Sequence, residues 1–129
     1  MTIKATISYG EFLDKLTILE IKNERITDKE KLNNIQNELK SVKQAWQACP
    51  ASQIDISSEL NALKAINEKL WVIEDDIRDK ERQQQFDQGF IDLARSVYFE
   101  NDTRAQIKKD INLKLGSDLI EEKSYADYK

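Results

Sequence analysis

Residues 7–26, ISYGEFLDKLTILEIKNERI, constrain the fold most, because they specify where a helix begins and then place apolar residues on more than one side of it. Ser8 followed by Glu11 has the form of a capping box, and Ile7 and Phe12 stand where a hydrophobic staple puts its partners, so a helix is expected from Tyr9. With each residue turned by about 100°, Phe12, Leu13, Leu16, Leu19 and Ile26 share one broad face, and the acid Glu20 falls inside it. Ile18 and Ile21 lie on the opposite side beside Asp14. A helix that is apolar in two directions has to be covered on both flanks, as a central element is.

The rest of the chain supplies helices to cover it. Three glycines and one proline in 129 residues, with 34% charged and 8% aromatic residues, suit long solvated helices rather than a sheet. Thr27 and Glu30 form a second capping box, and Leu32, Ile35, Leu39, Val42 and Trp46 follow in steps of three and four. Cys49 and Pro50 end that helix, which leaves residues 47–54 as the one long connection. A third helix is expected from near Asp55 or Ser57 to about Gln84, with Leu60, Leu63, Ile66, Leu70, Trp71, Ile73 and Ile77 on its apolar face. Asp87 can cap a fourth, with Phe86 and Ile91 as staple and Gly116 as a left-handed stop after Leu115. Its stripe of Phe90, Leu93, Ala94, Val97 and Tyr98 continues in the same direction as Asn101, Arg104, Lys108 and Asn112, and Thr103 with Gln106 offers a kink or new start midway. Residues 2–7 alternate as a short extended segment, and residues 118–129 carry no helical pattern; 119–125 could pair with 2–7, and Glu121 and Glu122 read as solvated. The expectation is one all-α domain over residues 1–129: four helices in two antiparallel hairpins, with short extended N- and C-terminal segments.

Composition narrows the function classes. A net charge of −4 supplies no global basic field for nucleic acid or anionic lipid, so neither nucleic acid nor membrane is expected as a partner. With no histidine and one cysteine there is no cluster for zinc, copper or haem, and the common histidine relays to serine or cysteine cannot be built. Any metal would be a hard, oxygen-bound ion such as Mg. The polar start and the lack of a long apolar run make the cytoplasm the default location.

The opening stretch also carries a resemblance. It is similar to an uncharacterised family of small helical proteins of bacteria and phages whose start has the form SxGExxDKxTILEIKxERI, here Ser8, Gly10, Glu11, Asp14, Lys15, residues 17–22 and residues 24–26. LWVIEDDIRDKER (70–82), LARSVYFENDTRAQIKKDIN (93–112) and EEKSY (121–125) fit it as well. The resemblance implies a helical fold and an association with polysaccharide-building proteins or helical repeats. It implies no activity and assigns no catalytic residue.

Charge interrupts the apolar arc of three helices: Glu20 on the first, Glu74 with Arg78 on the third, Arg104 with Lys108 on the fourth. Buried charge has to be paired with other charge, a ligand or an ion, so Glu20 or Glu74 is expected to contact Arg78, Arg104 or Lys108 from another helix. One reading is an internal salt-bridge network. The other is a site in which Arg78, Asn101, Arg104 and Lys108 hold an anionic small molecule, with Glu20 and Glu74 as acid or base candidates or Mg ligands. The functional expectation is a binding or accessory module that self-associates as a homodimer; the alternative is an enzyme acting on a phosphate- or carboxylate-bearing substrate.

Overall fold

The computed structural model describes residues 1–128; Lys129, the last residue of the expected tail, lies outside them. Four α-helices follow one another: α1, Tyr9–Arg25; α2, Lys29–Gln47; α3, Ser57–Arg82; and α4, Gln88–Leu115. No strand occurs among the described residues, so the fold is all-α, and residues 2–7 and 119–125 do not pair as strands. Residues 47–54 contain a short 3-10 turn, Pro50–Gln53, whose Ala51 is buried in the core.

α1 is the central element and packs on each of the other three helices. Its buried residues lie in two directions: Leu13, Leu16 and Leu19 join the main core, and Asp14 and Thr17 face Asn67 of α3 and Arg104 of α4. α1 and α2 run antiparallel, as the sequence pairs Tyr9 with Trp46, Lys15 with Glu38 and Asn23 with Gln36 show. α3 and α4 form the second antiparallel hairpin, tied by Glu59 with Lys114, Lys69 with Glu100 and Lys80 with Asp87. Leu39 and Val42 of α2, Leu63 and Ile66 of α3, and Ile111 and Leu115 of α4 close the core around α1.

The helix lengths explain where this core stops. α3 and α4 have 26 and 28 residues, about 40 Å each, whereas α1 has only 17. The outer half of the second hairpin therefore lacks a third helix. Its expected stripe of Phe90, Leu93, Ala94 and Val97 is half-buried rather than core, and Tyr98 is exposed.

The caps decide the helix boundaries. Ser8 accepts from the Glu11 amide at 3.1 Å, and α1 begins at Tyr9 as expected. The Glu11 carboxylate does not complete the box; it pairs with Lys108 of α4. Phe12 turns to Trp46, leaving Ile7 47% exposed. At α2 the cap is Asp28 rather than Thr27: its carboxylate accepts from the Lys31 amide at 2.9 Å, and its charge also favours the positive end of the helix dipole. Asp87 caps α4, but the ring set against Phe86 is Phe90, edge-on at 5.3 Å, and Ile91 stays exposed. α4 runs unbroken past Thr103, whose hydroxyl donates to the Phe99 carbonyl instead of capping a new helix. Gly116 (φ 66°) supplies the left-handed stop.

A candidate groove between the first, third and fourth helices

Of the polar residues that continue the α4 stripe, Asn112, Lys108 and Arg104 turn toward α1, one turn after another. Asn112 Oδ1 accepts the buried Gly10 amide at 2.6 Å. Lys108 pairs with Glu11. Arg104 grips the Asp14 carboxylate with two nitrogens: Nε donates to Oδ1 at 2.9 Å and Nη2 to Oδ2. Asn67 Nδ2 donates to the same Oδ1 at 2.9 Å and to Thr17 Oγ1 at 3.0 Å, while the Thr17 hydroxyl donates to the Asp14 carbonyl.

Asp14 is 2% exposed, so its charge is tolerable only because three donors from two other helices meet it. The Asp14 hydrogen bonds hold the Arg104 guanidinium more firmly protonated than usual, outweighing the opposing effect of its burial. Its remaining nitrogen, Nη1, reaches toward Asn101 Oδ1 at 3.4 Å. The result is a guanidinium fixed from behind.

In front of Arg104 an open groove of about 390 Å³ is lined by Ile18, Asn67, Leu70, Trp71, Glu74, Asp75, Arg78 and Asn101. Four expected site residues, Glu74, Arg78, Asn101 and Arg104, thus share one concavity. Glu20 and Lys108 are outside it: Glu20 faces Lys64 of α3 at 3.8 Å, and Lys108 is engaged by Glu11. The expected contact from Glu20 or Glu74 to a named cation on another helix does not form. Glu74 pairs with Arg78 one turn along its own helix, where the partner is already within reach, and Glu20 meets a lysine that the apolar-arc reading did not count. The acids that meet the expected cations from another helix are Asp14, against Arg104, and Glu11, against Lys108. A signal for Asp14 was present, since Gly10, Asp14, Thr17 and Ile21 recur at steps of four, three and four, and all four are buried.

A larger open cavity, about 670 Å³, lies where the C-terminal tail passes Tyr98 and Asp102, but most of its lining is that non-helical tail. The groove walls are helix throughout, which suits a preorganised site better. Among the described residues no group of three or more His, Cys, Asp or Glu is placed to hold a metal ion, and no helix is long and apolar enough to cross a membrane.

A family model described as a family of unknown function, DUF6165, matches residues 3–128. The chain belongs to this family. A family of unknown function spanning nearly the whole chain is consistent with the resemblance to an uncharacterised family, and the DUF6165 description carries no activity to transfer. No curated protein and no solved structure shows significant similarity to it.

The tail itself is tied to the same ladder. Glu121 accepts from the Ser8 hydroxyl and from Asn112 Nδ2, and Glu122 approaches Lys109 at 3.7 Å, so Glu121 is not the freely solvated acid its sequence context suggests. Partial burial pushes the Glu121 carboxyl up, yet the Ser8 hydrogen bond, the nearby Lys108 charge and Asn112 together hold it below its ordinary 4.5. A carboxylate lowered in the folded state contributes stability that is present above its unfolded value and is lost as pH falls through the folded one. The tail contacts should therefore loosen as pH drops below about 4.5. The side-chain amide resonances of Asn112, which donates to Glu121, are expected to move over that pH range in the wild type and to differ already at neutral pH in Glu121→Gln; identical Asn112 resonances in the two proteins at pH 7 would contradict the clamp.

Proposed function

We propose that this DUF6165 protein is a helical binding module that holds a small polar ligand bearing an anionic group in the groove between α1, α3 and α4. The observation that carries this reading is Arg104, held bidentately by buried Asp14 with Asn101 beside it at the groove. A guanidinium whose rotamer is set by its own protein loses little freedom when a ligand arrives. Arg78, more than half exposed and paired only along its own helix, is the cation free to swing from Glu74 to a ligand.

Catalysis has less support. Glu74 is half-exposed and tied to Arg78, and among the described residues that line the groove the other carboxylate, Asp75, stands on the same helix. Self-association belongs to the same proposal: a second copy would cover Val72, Phe86 and Ile91, which are 44%, 57% and 46% exposed on the outer hairpin. The association with polysaccharide building is supported by the sequence resemblance alone.

The test uses thermal denaturation with a panel of carboxylated and phosphorylated metabolites. A ligand at about 100 times its Kd stabilises the fold by about 2.7 kcal/mol, so a Tm rise of several degrees is expected. Arg78→Ala should leave the unliganded Tm nearly unchanged and abolish that rise. If no panel member shifts the wild type, or if Arg78→Ala responds equally, the groove is not the site. Sedimentation as a 15.0 kDa species at high concentration would remove the dimer.

A further inference from the structure

The charges around the groove are nearly balanced before any ligand enters. Arg104 is answered by Asp14 and Arg78 by Glu74, and Asp75 adds a further exposed acid to the wall. A free dianion such as phosphate would meet two cations already paired and a carboxylate besides, which is a poor electrostatic match. The wall offers something else: a flat indole, Trp71, sharing the lining with the amides of Asn67 and Asn101, which donate and accept, the Asp75 carboxylate, which accepts, and the Arg104 guanidinium, which donates. Hydroxyl groups on adjacent carbons are donors and acceptors at once, so each can bridge a carboxylate and an amide or guanidinium. The C–H face of a sugar ring provides the apolar area that an indole covers.

We infer that the ligand of the groove is a pyranose ring carrying a single acidic group, stacked on Trp71, with its hydroxyls divided between Asp75 and the Asn101–Arg104 side and the acidic group taken by Arg78. This inference rests on the binding reading above and narrows it to a chemical class. A volume of about 390 Å³ is enough for one such ring with its substituents.

The experiment follows the indole. The second tryptophan, Trp46, packs at the other side of α1 against Tyr9 and Phe12, so Trp46→Phe leaves Trp71 as the sole tryptophan, which can be excited selectively over the four tyrosines. Glucuronate, glucose, acetate and inorganic phosphate are titrated against that variant, with saturation-transfer NMR on the wild type as a second measurement in case Trp46→Phe is poorly folded. Glucuronate, and more weakly glucose, should shift the emission in a saturable way and show ring-proton saturation, while acetate and phosphate do neither. Asp75→Ala, an exposed wall position, should weaken neutral glucose, whose binding carries no charge term, about tenfold, the factor expected for one lost hydrogen bond of roughly 1.4 kcal/mol. Acetate or phosphate acting as strongly as glucuronate would overturn the sugar class and leave the groove as an anion site. Absence of any response to both sugars would overturn it as well, and the Arg78-dependent Tm shift shows separately whether the groove reading survives.

Discussion

Asp14→Ala is expected to destabilise the protein by about 3 kcal/mol, the scale found when one member of a buried ion pair is removed. The substitution takes away the acceptor of three hydrogen bonds and leaves the Arg104 guanidinium and the Asn67 amide without that partner beside Thr17. The cost comes chiefly from stranding those donors rather than from the worth of the pair, because the Arg104 side chain is only 28% exposed and cannot fully recover its hydration. Two further variants separate these terms. Arg104→Leu alone strands Asp14 and should cost at least as much, whereas Asp14→Leu with Arg104→Leu replaces both charges by apolar volume and should recover a large part of the loss. Urea denaturation followed by helical ellipticity reads all four proteins. A loss below about 1 kcal/mol in Asp14→Ala, the scale of an exposed pair, would mean that the pair is solvated and that Arg104 is not held for a ligand.

Gly10→Ala should also be strongly destabilising, and its sign is the informative part. In an isolated helix alanine is better than glycine by up to about 1 kcal/mol. Here a Cβ at position 10 would lie 2.5 Å from the Lys108 carbonyl oxygen and 3.0 Å from Asn112 Oδ1, so α1 and α4 must move apart. That separation stretches the Gly10 to Asn112 bond and the neighbouring Glu11 to Lys108 pair. The net effect is expected to be a loss of about 2 kcal/mol, within the usual range for overpacking. A peptide of residues 7–26 bearing the same change should become no less helical. A full-length Gly10→Ala protein as stable as the wild type would refute the close approach of these two helices.

Both variants test one interface, and it is the part of the molecule that was hardest to read beforehand. The capping oxygens of Ser8 and Asp87, the left-handed stop at Gly116 and the apolar stripes of α2 and α3 act within one or two turns of their own helix. Their consequences for four helices in two hairpins were therefore visible as local spacing. Glu11 shows the limit of local reading, because the same carboxylate satisfies a capping motif in the sequence and a lysine 97 positions away in the fold. The nearer use did not win, since Lys108 carries a full charge and the Ser8 amide does not.

The charged residues of the candidate site divide in the same way. That Asn101, Arg104, Lys108 and Asn112 face inward was determined by their register with Phe90, Leu93 and Val97, and it needed nothing beyond the helical repeat. Which acid each would meet was decided by how α1 crosses α4, and that crossing is set by a glycine admitting a backbone carbonyl at Lys108. Helical periodicity gives the angle of a side chain about its own axis but not the height at which two axes touch. By sequence alone this protein is a set of capped amphipathic helices around a doubly covered first one. Tertiary contact alone placed Asp14 behind Arg104, withdrew Glu20 and Lys108 from the groove, and left Arg78 beside Trp71 at its wall.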